Sequence, residues 1–248
     1  MSSTGCTLPE DLRRYNLDAM GIQLWQPRDT MELQPAVDEI PVDKEIIDST
    51  GIDETPLTAD RTGVDVTQPD WERLERAVVS CVKCELHRSR TQTVFGTGDR
   101  HADLLIIGEA PGRDEDLQGE PFVGRAGQLL NAMLLAIGFK REQVYIANIL
   151  KCRPPNNRDP RVEEAAACSP YLQAQIELIR PKVILALGRI AAHNLLNTEE
   201  KVGALRGHRH SYAGVPLIVS YHPAYLLRSP LEKRKSWQDL KIVKALLK

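Results

Sequence analysis

The sequence lacks any run of about 18 apolar residues, which excludes an ordinary transmembrane helix. Its N-terminus also lacks the apolar core that follows a basic start in secretory signals. We therefore expect a cytoplasmic protein without a membrane partner. Cysteine is scarce, with five residues in 248. In a reducing compartment such thiols bind metal or react more often than they form disulfides, and an odd count leaves one over.

Net charge differs sharply between the two parts of the chain. Residues 1–70 contain 15 acidic and 5 basic side chains, whereas residues 71–248 contain 19 acidic and 27 basic ones. A basic folded part suits a polyanion such as DNA, because binding releases counterions. The alternative is ordinary charge scatter beside an acidic, solubilising tail.

The N-terminal part has the composition of an extension rather than of a domain. Residues 28–70 are rich in Asp, Glu, Pro and Thr and have no sustained apolar period, which predicts disorder. Near residues 13–26, the segment YNLDAMGIQLW predicts a short amphipathic helix that needs a partner surface to be stable. We expect residues 13–28 to dock on another protein. Alternatively, this segment packs on the folded part of its own chain, or the acidic tether covers a basic face of that part.

Short apolar strands alternate with helical patterns from Trp71 onward, which predicts an α/β domain over 71–248 with a mainly parallel sheet covered on both faces. The predicted strands are 103–112, 143–150, 182–188 and 215–227, the last running into a turn; the predicted helices are 71–84, 126–138, 162–179, 189–196 and 233–247. Ligands of such sheets bind at the carboxyl ends of the strands. The motifs GEAPG, YIAN and YHPAY follow strands at those ends.

Four cysteines have a pattern typical of a metal site: Cys81 and Cys84 in CVKC, Cys152 in LKCRPP and Cys168 in EAAACSP. Four converging thiolates bind zinc or an iron–sulfur cluster, and spacing alone does not separate the two. Buried free thiols are the alternative. Cys6 lies in the acidic extension and is left out. Lys151, Arg153 and Arg158 predict a basic loop beside Cys152, either near phosphate or simply solvated.

Single polar or aromatic residues in the strand-end motifs suit recognition of a flat base. The Gly-rich turn around Glu109 leaves backbone amides free, and Phe122 lies in a Gly-rich loop where an aromatic ring can stack on a base. Asn148 offers a donor and an acceptor, which suits the imide edge of uracil. His222 can donate to a carbonyl oxygen as charge builds on it. The alternatives are an ordinary acidic turn at Glu109, a core phenylalanine at Phe122 and a capped strand end at Asn148.

Taken together, these motifs resemble the family 4, iron–sulfur uracil-DNA glycosylases. The resemblance covers about 71–248 and rests on GEAPGRDED, PFVGRAGQLL, the YIAN–KCRPP run, HPAYLLR and the four cysteines. It implies a three-layer α/β/α sandwich around a four-stranded sheet and a [4Fe-4S] cluster. The ligands implied are Cys81, Cys84, Cys152 and Cys168. The uracil site implied comprises Gly108, Glu109, Ala110, Glu115, Phe122, Asn148 and His222.

Within that site, the resemblance implies catalytic roles for Glu109 and His222. Phe122 is implied as the stacking partner and Asn148 as the residue that reads uracil, while Glu115 is implied in excluding the thymine methyl group. Some relatives carry a water-orienting aspartate where Ala110 stands, so we expect electrostatic stabilisation of a dissociative transition state rather than a strong general base. No KRRIH-like loop, typical of the covalently trapping relatives, follows KCRPP.

The expected function is base-excision repair: a monomer that flips uracil out of single- or double-stranded DNA and hydrolyses its N-glycosidic bond. One alternative is a glycosylase for another deaminated base, hypoxanthine or xanthine. Another is a non-catalytic iron–sulfur DNA-binding protein. The segment YNLDAMGIQLW also resembles, over about 15 residues, the N-terminus of the psi subunit of the replicative clamp loader. That resemblance suggests a replication protein as the partner of 13–28.

Overall fold

The structure, a computed structural model, describes residues 70–248. The predicted helix near 13–26, the predicted disorder of 28–69 and Cys6 lie outside the described residues. They therefore stay predictions from the sequence.

Helices and strands alternate along the chain. The first half contains helix α1 (Trp71–Val79), strands β1 (Thr97–Gly98) and β2 (Leu104–Gly108), helices α2 (Arg113–Gln118) and α3 (Arg125–Ile137), and strand β3 (Tyr145–Asn148). The second half contains helix α4 (Val162–Ile179), strand β4 (Val183–Leu187), helices α5 (Arg189–Leu196) and α6 (Val202–Leu205), strands β5 (Arg209–Tyr212) and β6 (Val215–Ser220), and helices α7 (Pro223–Arg228) and α8 (Lys233–Leu246). No helix between residues 70 and 248 is both long and apolar enough to cross a membrane.

The six strands within residues 70–248 form one sheet, in the order β1-β3-β2-β4-β6-β5. The four central strands are parallel, and the two edge strands pair antiparallel to their neighbours. Strands β2 and β4 are buried along their whole length, as strands covered on both faces must be. The carboxyl ends of the four parallel strands therefore lie along one edge of the sheet.

Alternate residues along the central strands lie in two separate hydrophobic cores. In β2, Leu105 and Ile107 pack with residues of α4 and α5, whereas Leu104 and Ile106 pack with residues of α3 and α8 on the other face. This alternation follows from the twofold period of a strand. It produces the three layers of an α/β/α sandwich.

The predicted α/β class and the central parallel strands are confirmed, with differences at the edges. Strands β1 and β5 were not predicted, because two and four residues with mixed burial leave little apolar signal. The first helix ends at Val79 rather than at residue 84, because Ser80 caps it through its hydroxyl bond to Arg76 O. Pro170 lies inside α4 without ending that helix.

Buried polar contacts of Asp239 hold α8 against the ends of α6 and β6. Asp239 is fully buried; its two carboxylate oxygens accept from Arg206 at 2.7 and 3.1 Å, and Oδ2 also accepts from the Ser220 hydroxyl at 2.8 Å. Ser220 is the last residue of β6, two residues before His222. Asp239 therefore supports the strand end from which the candidate histidine projects.

We expect Asp239→Ala to lower the free energy of unfolding by about 3–5 kcal/mol, because it leaves the largely buried Arg206 cation without its partner. The matched control is Lys182→Ala, which breaks the exposed pair with Asp103 and should cost about 1 kcal/mol or less. Urea unfolding measures both. Equal losses in the two variants would contradict the assigned role of Asp239.

Candidate active site and thiol-lined pocket

Two neighbouring parallel strands bring the first polar groups of the site together. The register pairs Gly108, the last residue of β2, with Asn148, the last residue of β3. The pairing continues past the strands, because Ile149 N donates to Gly108 O at 3.0 Å and Leu150 N donates to Glu109 O at 3.1 Å. Glu109 and Asn148 are thereby placed side by side at the carboxyl edge of the sheet.

An open pocket of about 450 Å³ lies at this edge, within the size range of small-molecule sites. It contains six of the seven residues predicted for the uracil site: Glu109, Ala110, Glu115, Phe122, Asn148 and His222. The seventh, Gly108, lies directly behind them: a methyl group there would stand 2.6 Å from Phe122 Cζ and would overlap Asn148 Oδ1. Glycine is therefore required if these two side chains are to converge.

Phe122 has a conformation that a bulky residue rarely adopts, with φ of 55°. Two clamps hold its loop. Arg141 donates to the carbonyl oxygen of Phe122 at 3.3 Å and to that of Pro121, while Glu115 Oε1 accepts from Val123 N at 3.0 Å and from Gly124 N at 3.2 Å. Local strain of this kind persists only where the surroundings enforce it, and it is concentrated at functional sites. Arg141 was not singled out from the sequence.

Asn148 presents an unused hydrogen-bond acceptor. The residue is 2% exposed, and its Oδ1 has no hydrogen-bond partner among the described residues. A buried polar atom without a partner costs free energy, and most such atoms in proteins are paired. Because Asn148 also lines the pocket, a ligand with an N–H donor is the natural partner of Oδ1.

His222 is held as a neutral imidazole with one free donor. Its Nδ1 accepts from Ala224 N at 3.2 Å, at the start of α7, so the ring proton resides on Nε2. Burial, followed by the nearby Arg228, lowers the pKa of His222 to about 4. The ring faces that of Phe122 at 5.4 Å between centroids. His222 therefore offers a neutral N–H donor at neutral pH.

The pKa of Glu109 lies well above that of an ordinary carboxylic acid. Burial raises the pKa of Glu109 to about 7, with a further contribution from Asp159, while Arg189 opposes the shift. Titratable groups with shifted pKa values in a cleft are typical of active sites. Near pH 7 this carboxyl group therefore exists in both its protonated and its ionised forms.

The four predicted metal-binding cysteines line a second, narrower pocket, between the end of α1 and the start of α4. Two of the sulfurs accept hydrogen bonds: Arg90 Nη1 donates to Cys152 Sγ at 3.1 Å, and Lys151 N donates to Cys168 Sγ at 3.3 Å. Burial raises the pKa of the Cys168 thiol to about 11. None of the four forms a disulfide within the described residues.

No three of the Cys, His, Asp and Glu side chains within residues 70–248 lie close enough together to hold one metal ion. A zinc ion needs its sulfur ligands at about 2.3 Å, which crowds the sulfurs together. A cluster of several iron and sulfide atoms is larger than one ion and needs its ligands farther apart. The four thiols that line this pocket are the residues available to hold such a group.

One expectation at this pocket is wrong. Lys151 does not belong to a basic loop, because it is 1% exposed. Its Nζ donates to Asn148 O at 3.1 Å and to Gln175 Oε1 at 2.6 Å. Arg158 does line the open pocket at the carboxyl edge of the sheet. Pro154, Asn157, Tyr225 and Arg228 line the same pocket and were not assigned to the site from the sequence.

Comparison with known proteins adds a second line of argument. A profile of the uracil DNA glycosylase superfamily matches residues 95–241. The chain is 47% identical to a type-4 uracil-DNA glycosylase of Archaeoglobus fulgidus over 67% of this chain and 87% of the relative. It is 42% identical to one from Thermotoga maritima over 71% of this chain and 94% of that relative. A type-5 uracil-DNA glycosylase of Pyrobaculum aerophilum is 32% identical over 52% of this chain and 64% of the relative.

We expect the imidazole of His222 to stay neutral, with its proton on Nε2, as the pH is lowered to about 5. Because folding lowers this pKa below its ordinary value of 6.5, protonation opposes folding, and stability is lost as the pH falls from 6.5 toward 4. Imidazole ¹⁵N NMR measures the titration, with His222→Gln to assign the signal. Titration near 6.5 in the folded protein would contradict this assignment.

Proposed function

We infer the function from one premise: the chain belongs to the uracil DNA glycosylase superfamily and, within it, to the type-4 enzymes. It acts in DNA repair as a glycosidase that hydrolyses the N-glycosidic bond of uracil in DNA and leaves an abasic site. DNA is its macromolecular partner. The observation that carries the proposal is the pocket in which the unpaired amide oxygen of Asn148 and the neutral imidazole of His222 converge.

Asn148 supplies base selectivity. Uracil has an N3–H donor between two carbonyl acceptors, so Asn148 Oδ1 accepts from N3–H and Nδ2 donates to O4. Cytosine presents an acceptor at N3 and a donor at C4, and would leave the buried amide unpaired. A site built to pair polar groups rejects the wrong pattern strongly, because the unpaired groups stay buried.

Phe122 and Glu115 shape the rest of the base pocket. The Phe122 ring provides a stacking surface for the flipped base, held in place by the clamped loop. Glu115 Oε1 is engaged with the loop backbone, so its part in excluding the thymine methyl group is to fix the wall of the pocket. Gly108 has no side chain, which leaves room for the base beside Asn148 and Phe122.

His222 and Glu109 act on the charges that develop as the bond breaks. Departing uracil becomes anionic, and Nε2–H of His222 donates to its O2 without carrying a charge of its own. The sugar becomes cationic, and Glu109 stabilises that charge when its carboxyl group is ionised. Ala110 stands where some relatives carry an aspartate, so this chain relies on electrostatic stabilisation more than on general-base activation of water.

The proposed function is tested with oligonucleotides that contain one uracil, single-stranded or paired, cleaved with alkali after incubation. We expect strand scission at the uracil and none at cytosine or thymine. Hypoxanthine and xanthine substrates, in place of uracil, test the broader glycosylase. Failure to produce an abasic site from either uracil substrate would refute the uracil-DNA glycosylase. Failure with hypoxanthine and xanthine as well would leave the iron–sulfur DNA-binding protein.

We also propose that a [4Fe-4S] cluster occupies the thiol-lined pocket, held by Cys81, Cys84, Cys152 and Cys168. The donor set is four thiols around one space, and N–H groups of Arg90 and Lys151 already point to two of the sulfurs. Thiolates hold such clusters, and hydrogen bonds to the sulfurs tune them. When bound, the cluster fastens the segment after α1 to the segment after β3, a structural contribution.

We expect the purified protein to be brown and to contain iron and labile sulfide rather than zinc. Cys81→Ala should lose iron and thermal stability, because metal binding contributes to folding free energy. Cys6→Ala is the matched control, and its metal content and stability should equal those of the unaltered protein. Stoichiometric zinc without iron would rule out the cluster.

Substitutions in the uracil pocket should affect the chemical step. Asn148→Asp should weaken uracil excision, because an ionised carboxylate cannot donate to O4. His222→Ala should slow excision by about 10–1000-fold, as expected for one lost donor at a developing charge. Single-turnover kinetics separate chemistry from product release. Rates equal to that of the unaltered protein in both variants would overturn these assignments.

A further inference from the structure

Lys151 connects the two pockets. It lies between them in the chain, three residues after Asn148 and next to Cys152, and its side chain is almost completely buried. Its backbone N–H donates to Cys168 Sγ at 3.3 Å. Its ammonium group donates to the main-chain oxygen of Asn148 at 3.1 Å. One residue thus contacts a thiol of one pocket and the backbone of the uracil-reading residue of the other.

The second partner of the ammonium group continues this network into the core. Gln175 Oε1 accepts from Lys151 at 2.6 Å, and Gln175 Nε2 donates to Phe95 O at 3.0 Å and to the Tyr145 hydroxyl at 3.3 Å. Gln175 is fully buried. No carboxylate is among the hydrogen-bond partners of the ammonium group in the described part of the chain. A buried lysine without a carboxylate partner is costly, so simple packing does not explain it.

We propose that Lys151 is a positioning residue that ties the orientation of Asn148 to the state of the thiol-lined pocket. The proposal rests on the function proposed above. Oδ1 of Asn148 has no hydrogen-bond partner among the described residues, so its direction depends on the backbone that carries it. Lys151 fixes that backbone at the Asn148 carbonyl group, and Cys168 fixes the backbone of Lys151. Filling the thiol-lined pocket therefore sharpens the recognition of uracil.

The test compares three variants of the full chain. Lys151→Met keeps the length of the side chain and removes its donors. Gln175→Leu removes one acceptor and leaves the bond from Lys151 to Asn148. Arg90→Met is the matched control: Arg90 donates to Cys152 Sγ and to Val79 O, on the thiol side alone. The readouts are iron per chain, thermal midpoint, affinity for uracil-free DNA, and the inhibition constant of free uracil.

We expect Lys151→Met to raise the inhibition constant of free uracil about tenfold, the effect of one lost hydrogen bond at a positioned group, with little change in affinity for uracil-free DNA. Gln175→Leu should raise it by a smaller factor in the same direction. Arg90→Met should lose iron faster under oxidant. Compared at equal iron content, its inhibition constant for free uracil should equal that of the unaltered protein. Oxidative removal of iron from the unaltered protein should weaken uracil inhibition in parallel.

At equal iron content, an inhibition constant in Lys151→Met equal to that in Arg90→Met, whatever the change in thermal midpoint, would show a purely structural lysine and overturn the proposal. If Lys151→Met does not fold, unchanged inhibition in Gln175→Leu together with unchanged inhibition after iron removal would overturn it. Failure of the unaltered protein to excise uracil or to be inhibited by it would instead refute the proposed function. The two failures are therefore distinguishable.

Discussion

The parallel register that pairs Gly108 with Asn148 is the constraint on which the site depends. It aligns the carboxyl ends of β2 and β3, so that the turn after one strand and the amide at the end of the other face the same space. The absence of a side chain at Gly108 lets Asn148 and Phe122 converge there. A register shift of one residue would turn the Asn148 side chain to the other face of the sheet. The alternation of apolar side chains between the two cores therefore also determines the face of the sheet from which the Asn148 side chain projects.

The same strand end connects the site to the thiol-lined pocket. The chain leaves β3 at Asn148 and within four residues reaches Cys152, with Lys151 bonded in both directions. The cysteines come from three separate segments, before β1, after β3 and within α4. Binding a common group there would restrain all three segments at once, next to the strand that carries Asn148.

The sequence was sufficient for the parallel core and for most of the pocket, because both have strong local signals. Buried strands are continuous apolar runs, and Glu109, Asn148 and His222 interrupt or follow such runs. Strand β1 and Arg141 were missed, since their partners lie far away in the chain. Strand β5 adjoins its partner β6 and was missed because its four residues carry little apolar signal. Lys151 was misplaced because a lysine just before an arginine-containing loop reads as solvated, and only tertiary structure reveals that it is buried.

Burial also shifts two titratable groups of the pocket, Glu109 and His222, toward their neutral forms, from opposite sides. It raises the pKa of Glu109 to about 7 and lowers that of His222 to about 4. Removal from water disfavours every charged form, acid or base. Under the proposed function, the neutral imidazole of His222 is already in place as a donor when charge develops on the departing base. Preorganised donors of this kind stabilise a transition state more than a ground state, which is the requirement for catalysis.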